Sequence, residues 1–507
     1  MKRIIFGVIG LTFLAKIFGF FREILLSYYF GASGISDAYL ISQTIPGTIF
    51  QFVGTGLTTC FIPVFLKVQN QKGKQEADRL TNGVITMVLL FSTIVIGVIW
   101  LFTEEIVGIF AAGFEGETLS YACLFTRISV LSLYFSAIIY VFTSYLQAQN
   151  AFWIVAFAAI PNSIVVMLSI VAASKLSVVV LSIGSVCAIA IQLLIMWPSV
   201  WRLGFRIKGY LDWKNGYIKE ILGLMLPVII GVSVNQMNVL IDRTIASMIS
   251  TGGISALTYA DSLIMFVQGA FSQTIATVYY PALTRMVEDK DCNGLKVYIE
   301  QAVSILALAL CPIMVGIVVL SSSIIKILYG RGAFDGVAIQ MTSIVLFFYA
   351  FGILGSGARE ILSRVFYSFH DTKTPMINAA FGMLINIILN VLLSKILGIG
   401  GLALATSISA TFIAILLWRK LKQQIGTFIT RESIKQLIKI IFASALMGIV
   451  VYGVKSILDN QINEILIFVI CVLVGVLVYV MTAVLLRVTA MQDIFKMAAI
   501  RTKKKND

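Results

Sequence analysis

Lys16, Arg22, Glu23 and Asp37 lie within one apolar stretch, FLAKIFGFFREILLSYYFGASGISDAYLISQTIPGTIFQFVGTGLTTCFIPVF, residues 13–65. The stretch reads as two membrane-spanning helices joined by the short turn Gly31-Ala32-Ser33-Gly34. A charge at mid-bilayer costs about 2.5–3.5 kcal/mol even on the lenient insertion scale. Four charges in one hairpin therefore face a wet cavity or pair inside the bundle. Lys16 can snorkel. A direct lock between Arg22 and Glu23 is awkward, because adjacent helical residues point about 100° apart. Further intramembrane polar groups are Gln43 and Gln51 in the first half, then Asp242, Arg243, Asp261, Arg359, Glu360 and Arg364 in the second. Cations lining a cavity suit an anionic substrate such as a pyrophosphate, and the planar fork of arginine binds phosphate oxygens two at a time. The competing reading of Arg359, Glu360 and Arg364 is a structural network, since residues four apart share a helix face.

A second set has different chemistry. Asn386 and Asn390 sit four apart on one predicted span and project to one face. With Thr406, Asp242 and a free backbone carbonyl they supply hard oxygen ligands, suited to sodium. The alternative is that the asparagines hydrogen-bond a neighbouring helix. Catalytic signatures are missing: there is no HExxH, GxSxG or Walker loop, and Gly330-Arg331-Gly332-Ala333-Phe334 does not have the spacing of a phosphate cradle. The chain reads as a transporter rather than an enzyme, driven by an ion gradient, the membrane potential or the substrate gradient. One histidine, His370, and six scattered cysteines (Cys60, Cys123, Cys187, Cys292, Cys311, Cys471) without a CxxC argue against a transition-metal site.

The elements that must position these groups follow from composition. Of 507 residues, 59% are hydrophobic and 12% charged, whereas an ordinary soluble chain is about 25% charged. Long continuous apolar runs exclude a barrel and indicate an all-α polytopic membrane protein. About fourteen spans are expected, near 4–29, 35–66, 81–103, 119–148, 152–174, 177–200, 219–249, 254–284, 296–320, 338–369, 375–395, 400–421, 435–456 and 464–487. The start, MKRIIFGVIGLTFLAKIFGFFRE, is charged like a signal peptide but lacks a small-residue cleavage site, and reads as a retained first span. The net charge of +14 concentrates in alternate junctions, such as Lys67 to Arg79 and Arg202 to Lys219, and at both ends. The junction with Glu104, Glu105, Glu115 and Glu117 is acidic. The positive-inside bias then places both termini in the cytoplasm, and it accounts for the basic charge without nucleic acid as a partner.

An internal repeat divides the chain. Gly34-Ile35-Ser36 recurs as Gly253-Ile254-Ser255, Pro63 matches Pro281, and Ser174-Lys175 matches Ser394-Lys395. The expected domains are a six-helix lobe at 1–200, a cytoplasmic linker helix at 201–218, a second six-helix lobe at 219–422, and two extra helices with a basic tail at 423–507. Parallel six-span repeats suit alternating access by two rocking bundles.

Several motifs carry a family resemblance. They are Gly19-Phe20-Phe21-Arg22-Glu23 with Phe30-Gly31-Ala32; Ser36-Asp37-Ala38-Tyr39; Tyr259-Ala260-Asp261; Tyr329-Gly330-Arg331-Gly332-Ala333-Phe334; Tyr367-Ser368-Phe369-His370-Asp371-Thr372-Lys373-Thr374-Pro375; and Gly401-Leu402-Ala403-Leu404-Ala405-Thr406-Ser407. In this order the chain resembles the MurJ family of lipid II flippases, within the multidrug/oligosaccharidyl-lipid/polysaccharide exporter superfamily. The resemblance implies a two-lobed fold of fourteen helices in the bacterial cytoplasmic membrane. It implies a substrate, undecaprenyl-pyrophosphate carrying a disaccharide-peptide, moved from the inner to the outer leaflet, with membrane lipids and the cell-wall synthesis machinery as further partners. Arg22 would contact the pyrophosphate; Lys16 stands where an arginine is frequent, Glu23 where aspartate is frequent, and Asp37 matches a family acid. A sodium site would comprise Asp242, Asn386, Asn390, the Leu402 carbonyl and Thr406. The chain departs from the pattern at Phe50, Gln51 and Thr55, where two arginines and an acid are expected, and at Ser262 and Met265, where an arginine and an acid are expected. Flippases of other lipid-linked glycans, such as teichoic-acid or capsule precursors, and cation or drug antiporters of the superfamily are the competing functions.

Overall fold

A computed structural model describes residues 2–210, 216–428, 430–459 and 461–492. Every helix or strand among them is a helix. The chain forms two compact units, one of residues 1–255 with 332–335, the other of 256–331 with 336–507.

Unit 1 holds α1 (Lys2–Phe30), α2 (Gly34–Lys72), α3 (Lys74–Leu101), α4 (Thr103–Phe110), α5 (Gly116–Ser129), α6 (Ser132–Ala148), α7 (Phe152–Ala173), α8 (Val180–Arg202) and α9 (Gly216–Ile249). The first residues of α10 (Gly253–Ala270) also belong to it. Here α2 is the central helix: α3, α5, α6 and α9 all pack on it. The seventh span, α9, thus packs within the first unit, although the repeat assigns it to the second lobe.

Unit 2 continues with the rest of α10, then α11 (Ser272–Glu288), α12 (Cys292–Leu328), α13 (Gly336–Ala350), α14 (Ile353–Ser368), α15 (Lys373–Leu397), α16 (Ile399–Ile425), α17 (Arg431–Leu458) and α18 (Glu464–Leu485). Leu283, Ile299, Val365, Phe366 and Leu417 form one core cluster. The appended pair α17–α18 packs on α12 through Cys311, Ile440, Met447 and Cys471, and Tyr479 donates to the Leu308 carbonyl at 2.7 Å.

Among the described residues ten helices, with α10 and α11 counted as one over Gly253–Glu288, are long and apolar enough to cross a membrane, and the bent pairs α5–α6 and α13–α14 raise this to twelve. α1 and α9, of 29 and 34 residues, coincide with the first and seventh expected spans. The chain is an all-α polytopic membrane protein. All eight prolines fall within helices, seven in interiors and Pro375 in the first turn of α15. An interior proline costs about 3 kcal/mol in a helix in water; membrane helices tolerate it because neighbours re-satisfy the freed backbone groups.

The repeat extends to the helix starts. α2 and α10 begin 219 residues apart, at 34 and 253; α5 and α13 begin 220 apart, at 116 and 336; α8 and α16 begin 219 apart, at 180 and 399. The bends repeat too, at 46° in α5–α6 and 45° in α13–α14.

One expectation fails. Between the end of α8 at Arg202 and the start of α9 at Gly216, the described part of the connection is not helical. Gly204 takes φ +86, which ends α8, and Phe205–Tyr210 run without helical structure. The Asn82 side chain supplies the missing backbone partners: Nδ2 donates to the Arg206 carbonyl at 3.1 Å and Oδ1 accepts from the Lys208 N–H at 2.8 Å. Phe205 is buried against Tyr145 and Phe142. Residues 211–215 lie outside the described residues.

Candidate functional site

In unit 1 the polar groups gather around the beginning of α2. Ser33 and Ser36 close a capping box on this helix, so its first turn is fixed, and Asp37 in that turn is held with its carboxylate away from α2. Asp37 is completely buried. Its Oδ2 accepts from the Gly252 N–H at 2.7 Å, and its Oδ1 accepts from the Ser255 N–H at 2.7 Å and the Ser255 hydroxyl at 2.5 Å. These donors open α10, so a carboxylate sits on the unsatisfied amides of a helix N-terminus, where negative charge is favoured. Asp37 therefore caps α10 and is not a substrate contact, since no face of it remains accessible. The repeat-related serines Ser36 and Ser255 hydrogen-bond each other at 2.9 Å. Sequence reasoning missed the role of Ser255, although its match to Ser36 was the signal for it.

The adjacent turn is built on close backbone approaches. Ala333 N–H donates to the Tyr28 carbonyl at 2.8 Å. Gly31, at φ +62, faces the Ala333 carbonyl with no room for a Cβ.

Arg22 and Glu23 do pair, contrary to the expectation from their adjacency. Arg22 Nη2 lies 2.8 Å from Glu23 Oε1 and Nε lies 3.3 Å from it. The long arginine side chain spans the angle between the two positions. The Arg22 side chain is 38% exposed and that of Glu23 9%, so one end of the guanidinium is tethered to a buried partner while the side chain stays partly exposed. Glu23 Oε2 is buried and takes no hydrogen bond among the described residues. Lys16 is exposed on α1. Gln51 is also exposed, and its Oε1 accepts from Gln236 Nε2 at 2.6 Å. Arg243 on α9 donates to the Leu40 carbonyl at 3.3 Å and to the Thr44 hydroxyl, clamping α2 ahead of Pro46.

In unit 2, α14 brings together Arg359, Glu360 and Arg364, all half-buried. Arg364 Nη2 pairs with Glu360 Oε1 at 3.2 Å, and the guanidinium lies 5.5 Å from the centre of the Tyr280 ring, within cation–π reach. Tyr367 lies on the same helix as the three charges. The two tyrosines were not anticipated; Tyr367 stands three residues beyond Arg364, on the same face. Asp261, half-buried on α10, belongs to this unit.

Four of the five residues expected to hold sodium meet in unit 2. Asn390 Nδ2 donates to Asn386 Oδ1 at 2.7 Å, Asn386 Nδ2 donates to Thr406 Oγ1 at 3.2 Å, and the Thr406 hydroxyl donates to the Leu402 carbonyl at 3.1 Å. Each accepting oxygen keeps a second lone pair, so the donor set suits a hard cation. The fifth residue, Asp242, is half-buried on α9 in unit 1. No group of three or more His, Cys, Asp or Glu is placed for a metal among the described residues.

Comparison with known proteins gives consistent matches. The family model for lipid II flippase MurJ matches residues 26–488. A probable lipid II flippase MurJ of Vibrio cholerae serotype O1 is 28% identical over 456 residues, 87% of this chain and 86% of its own length. A solved lipid II flippase MurJ in an inward closed conformation superposes with a TM-score of 0.82 at 27% identity, covering 94% of this chain and 98% of that one. An inward-facing multidrug transporter of the MATE family, 12% identical, shares the fold with a TM-score of 0.68 over 82% of this chain and 95% of its own.

Proposed function

The chain belongs to the lipid II flippase MurJ family, and from this premise we propose how its charged groups act. The protein is a transporter, not an enzyme. It is a polytopic inner-membrane protein that moves lipid II across the membrane, with lipid II and membrane lipids as its partners. The observation that carries this is the family match over residues 26–488, nearly the whole chain.

The proposed direction is from the inner to the outer leaflet by alternating access, with both termini and the basic junctions in the cytoplasm, as the positive-inside bias supports. Arg22 is the anion contact. Glu23 tethers one edge of its guanidinium, so the fork is oriented before substrate arrives and less rotamer freedom is lost on binding a pyrophosphate oxygen pair. Lys16, exposed on the same helix, adds positive charge. On α14, Arg359 and Arg364 supply cations in the other unit, with Glu360 and Tyr280 fixing Arg364. Gln51 and Asp261 are proposed as neutral and acidic contacts for the headgroup. Asp37 is left out, because its carboxylate is consumed in capping.

A coupling ion is proposed at the oxygens of Asn386, Asn390, Thr406 and the Leu402 carbonyl. When bound, it would supply positive charge between α15 and α16 and exchange the internal hydrogen-bond chain for coordination. Asp242 stands outside this proposed set. Transport indifferent to replacing sodium by choline would remove the proposal.

The experiment that tests the function is depletion of the protein in its own cells and identification of the lipid-linked precursor that accumulates on the inner leaflet. Lipid II is expected. Accumulation of a teichoic-acid or capsule precursor with normal lipid II turnover would overturn the assignment.

A further inference from the structure

A cavity of about 740 Å³ opens on unit 2 between α12, α13 and the end of α15. Its depth can be read from α13. The lining runs from Gly336 through Gln340, Ser343 and Ile344 to Phe348, thirteen residues with a rise of about 18 Å. A leaflet's hydrocarbon is about 15 Å thick, so the cavity is as deep as one leaflet.

Its polarity is layered. Ser321, Ser322 and Gln340 ring the upper part, while Ile344, Phe347 and Phe348 form the floor. Ser321 and Ser322 precede the end of α12 by about two helical turns. With 37 residues, α12 is about 55 Å long, far beyond the roughly 30 Å hydrocarbon core. The helix is therefore long enough to extend past the hydrocarbon.

The ring is also uncommitted. Some hydroxyls on the helices bond back to their own backbone, as Thr93 does to the Leu89 carbonyl at 2.9 Å and Ser343 to the Ile339 carbonyl at 2.6 Å. Ser321, Ser322 and the Gln340 amide have no side-chain hydrogen bond among the described residues. Polar groups left open in a bilayer are costly unless something meets them. No lysine or arginine lines the cavity, so a phosphate or pyrophosphate is not what they meet.

We propose that this cavity is a binding site for a glycerolipid, separate from the path of the transported substrate. One acyl chain lies along Ile344, Phe347 and Phe348, and the ester carbonyls accept from Ser321, Ser322 and Gln340. Recognition rests on the neutral ester region, so it is indifferent to headgroup charge. The floor ends beside the break between α13 and α14, where Phe347 packs on Phe351 with ring centres 5.4 Å apart; the lipid would press on the bend of this span.

The test uses the full-length protein in nanodiscs containing a phosphatidylglycerol with a diazirine in its acyl chain, followed by peptide mapping. Crosslinks are expected on the α13 peptide containing Ile344 and Phe348. Ile344→Trp, which fills the cavity, should abolish them. The double substitution Ser322→Ala with Gln340→Leu should lower them about tenfold, as expected for two lost hydrogen bonds. A phosphatidylethanolamine probe should label equally, and an ether-linked analogue several-fold less. Leu392→Trp, on an exposed stretch of α15, is the control and should change nothing. Labelling no stronger than on α15, or unaffected by Ile344→Trp, would overturn the proposal. So would displacement of the probe by undecaprenyl phosphate, which has no ester. Binding is read without transport, so a result here is independent of the flippase assignment. If Ile344→Trp elutes as aggregate, the Ser322 and Gln340 double variant decides alone.

Discussion

The two bent spans reach nearly the same angle, 46° and 45°, with similar local closures and different neighbours. In unit 1 the break between α5 and α6 falls at Val130-Leu131 and is closed locally by tight bonds: Leu131 N–H to the Ile128 carbonyl at 3.1 Å and Leu133 N–H to the Val130 carbonyl at 3.0 Å. In unit 2 the break between α13 and α14 closes locally too, Gly352 N–H to the Tyr349 carbonyl at 3.0 Å. Each bend also takes a neighbour: in unit 1 Trp100 Nε1 of α3 donates to the Arg127 carbonyl at 2.9 Å, and in unit 2 the Ser407 hydroxyl of α16 donates to the Phe348 carbonyl at 2.8 Å. Gly352 and Gly355 let α16 come close enough to do so: a Cβ on Gly355 would lie 2.6 Å from Thr411 Cα. Charge is distributed just as unevenly, on α1 in unit 1 and on α14 in unit 2. The repeat conserves the geometry of the frame and leaves its chemistry free to differ between halves.

That contrast can be broken at several points. The largest effect is expected for Arg22→Ala, which should lower lipid II transport in reconstituted vesicles at least about a hundredfold if the tethered fork provides a bidentate contact. Arg364→Ala, already engaged with Glu360 and Tyr280, should lower it only about tenfold or less. Equal losses would show that the halves contribute alike. Next, Asp37→Ala strips three hydrogen bonds from the start of α10 and should destabilise the protein by about 3 kcal/mol or more, with Asp37→Asn intermediate; thermal unfolding in detergent measures both. Gly355→Ala should cost about 1–3 kcal/mol because the clash is with backbone that cannot step aside. At the corresponding bend in unit 1, Tyr134→Phe loses only its hydrogen bond to Thr93 and should cost about 1 kcal/mol or less. A larger cost for Tyr134→Phe would show that the unit 1 bend leans on its neighbour more than the unit 2 bend leans on the close approach of α16.

The smallest effect concerns pH. Asp371, ahead of α15, accepts from the Thr374 N–H at 2.9 Å, and hydrogen bonding by Thr374 holds its carboxyl below the usual carboxylate range. A depressed folded value means the stabilisation is complete above the unfolded value, about 3.9, and is lost as pH falls through the lower folded value. Unfolding temperature should therefore be unaffected by this cap between pH 8 and 5. A loss in that window that Asp371→Asn abolishes would contradict the assignment.

The frame was legible because span length and apolarity are local properties; twelve of the expected spans correspond to the helices and bent pairs that qualify by length and composition. The breaks were not legible. Val130-Leu131 carries no proline or glycine, and Gly352 alone signals little. The linker misled because a basic, aromatic segment with helical composition was held by Asn82 on another helix, and no periodicity records such a partner. Within the site, charges could be located but not matched: Asp37 found its donors at Gly252 and Ser255, more than two hundred residues away, and Arg22 found Glu23 by side-chain reach rather than helical phase.

Seven interior prolines have a mechanical consequence. Each removes one donor from the ladder of its helix, and a rod with a missing rung bends there before it bends elsewhere. α2 has two such points, at Pro46 and Pro63, and so behaves as three stiff segments on two soft joints. Displacement of one end is absorbed as rotation at the joints and reaches the other end attenuated. Arg243, fixed to Leu40 and Thr44 just before the first joint, anchors the segment that carries Asp37 and leaves the bending to the remainder.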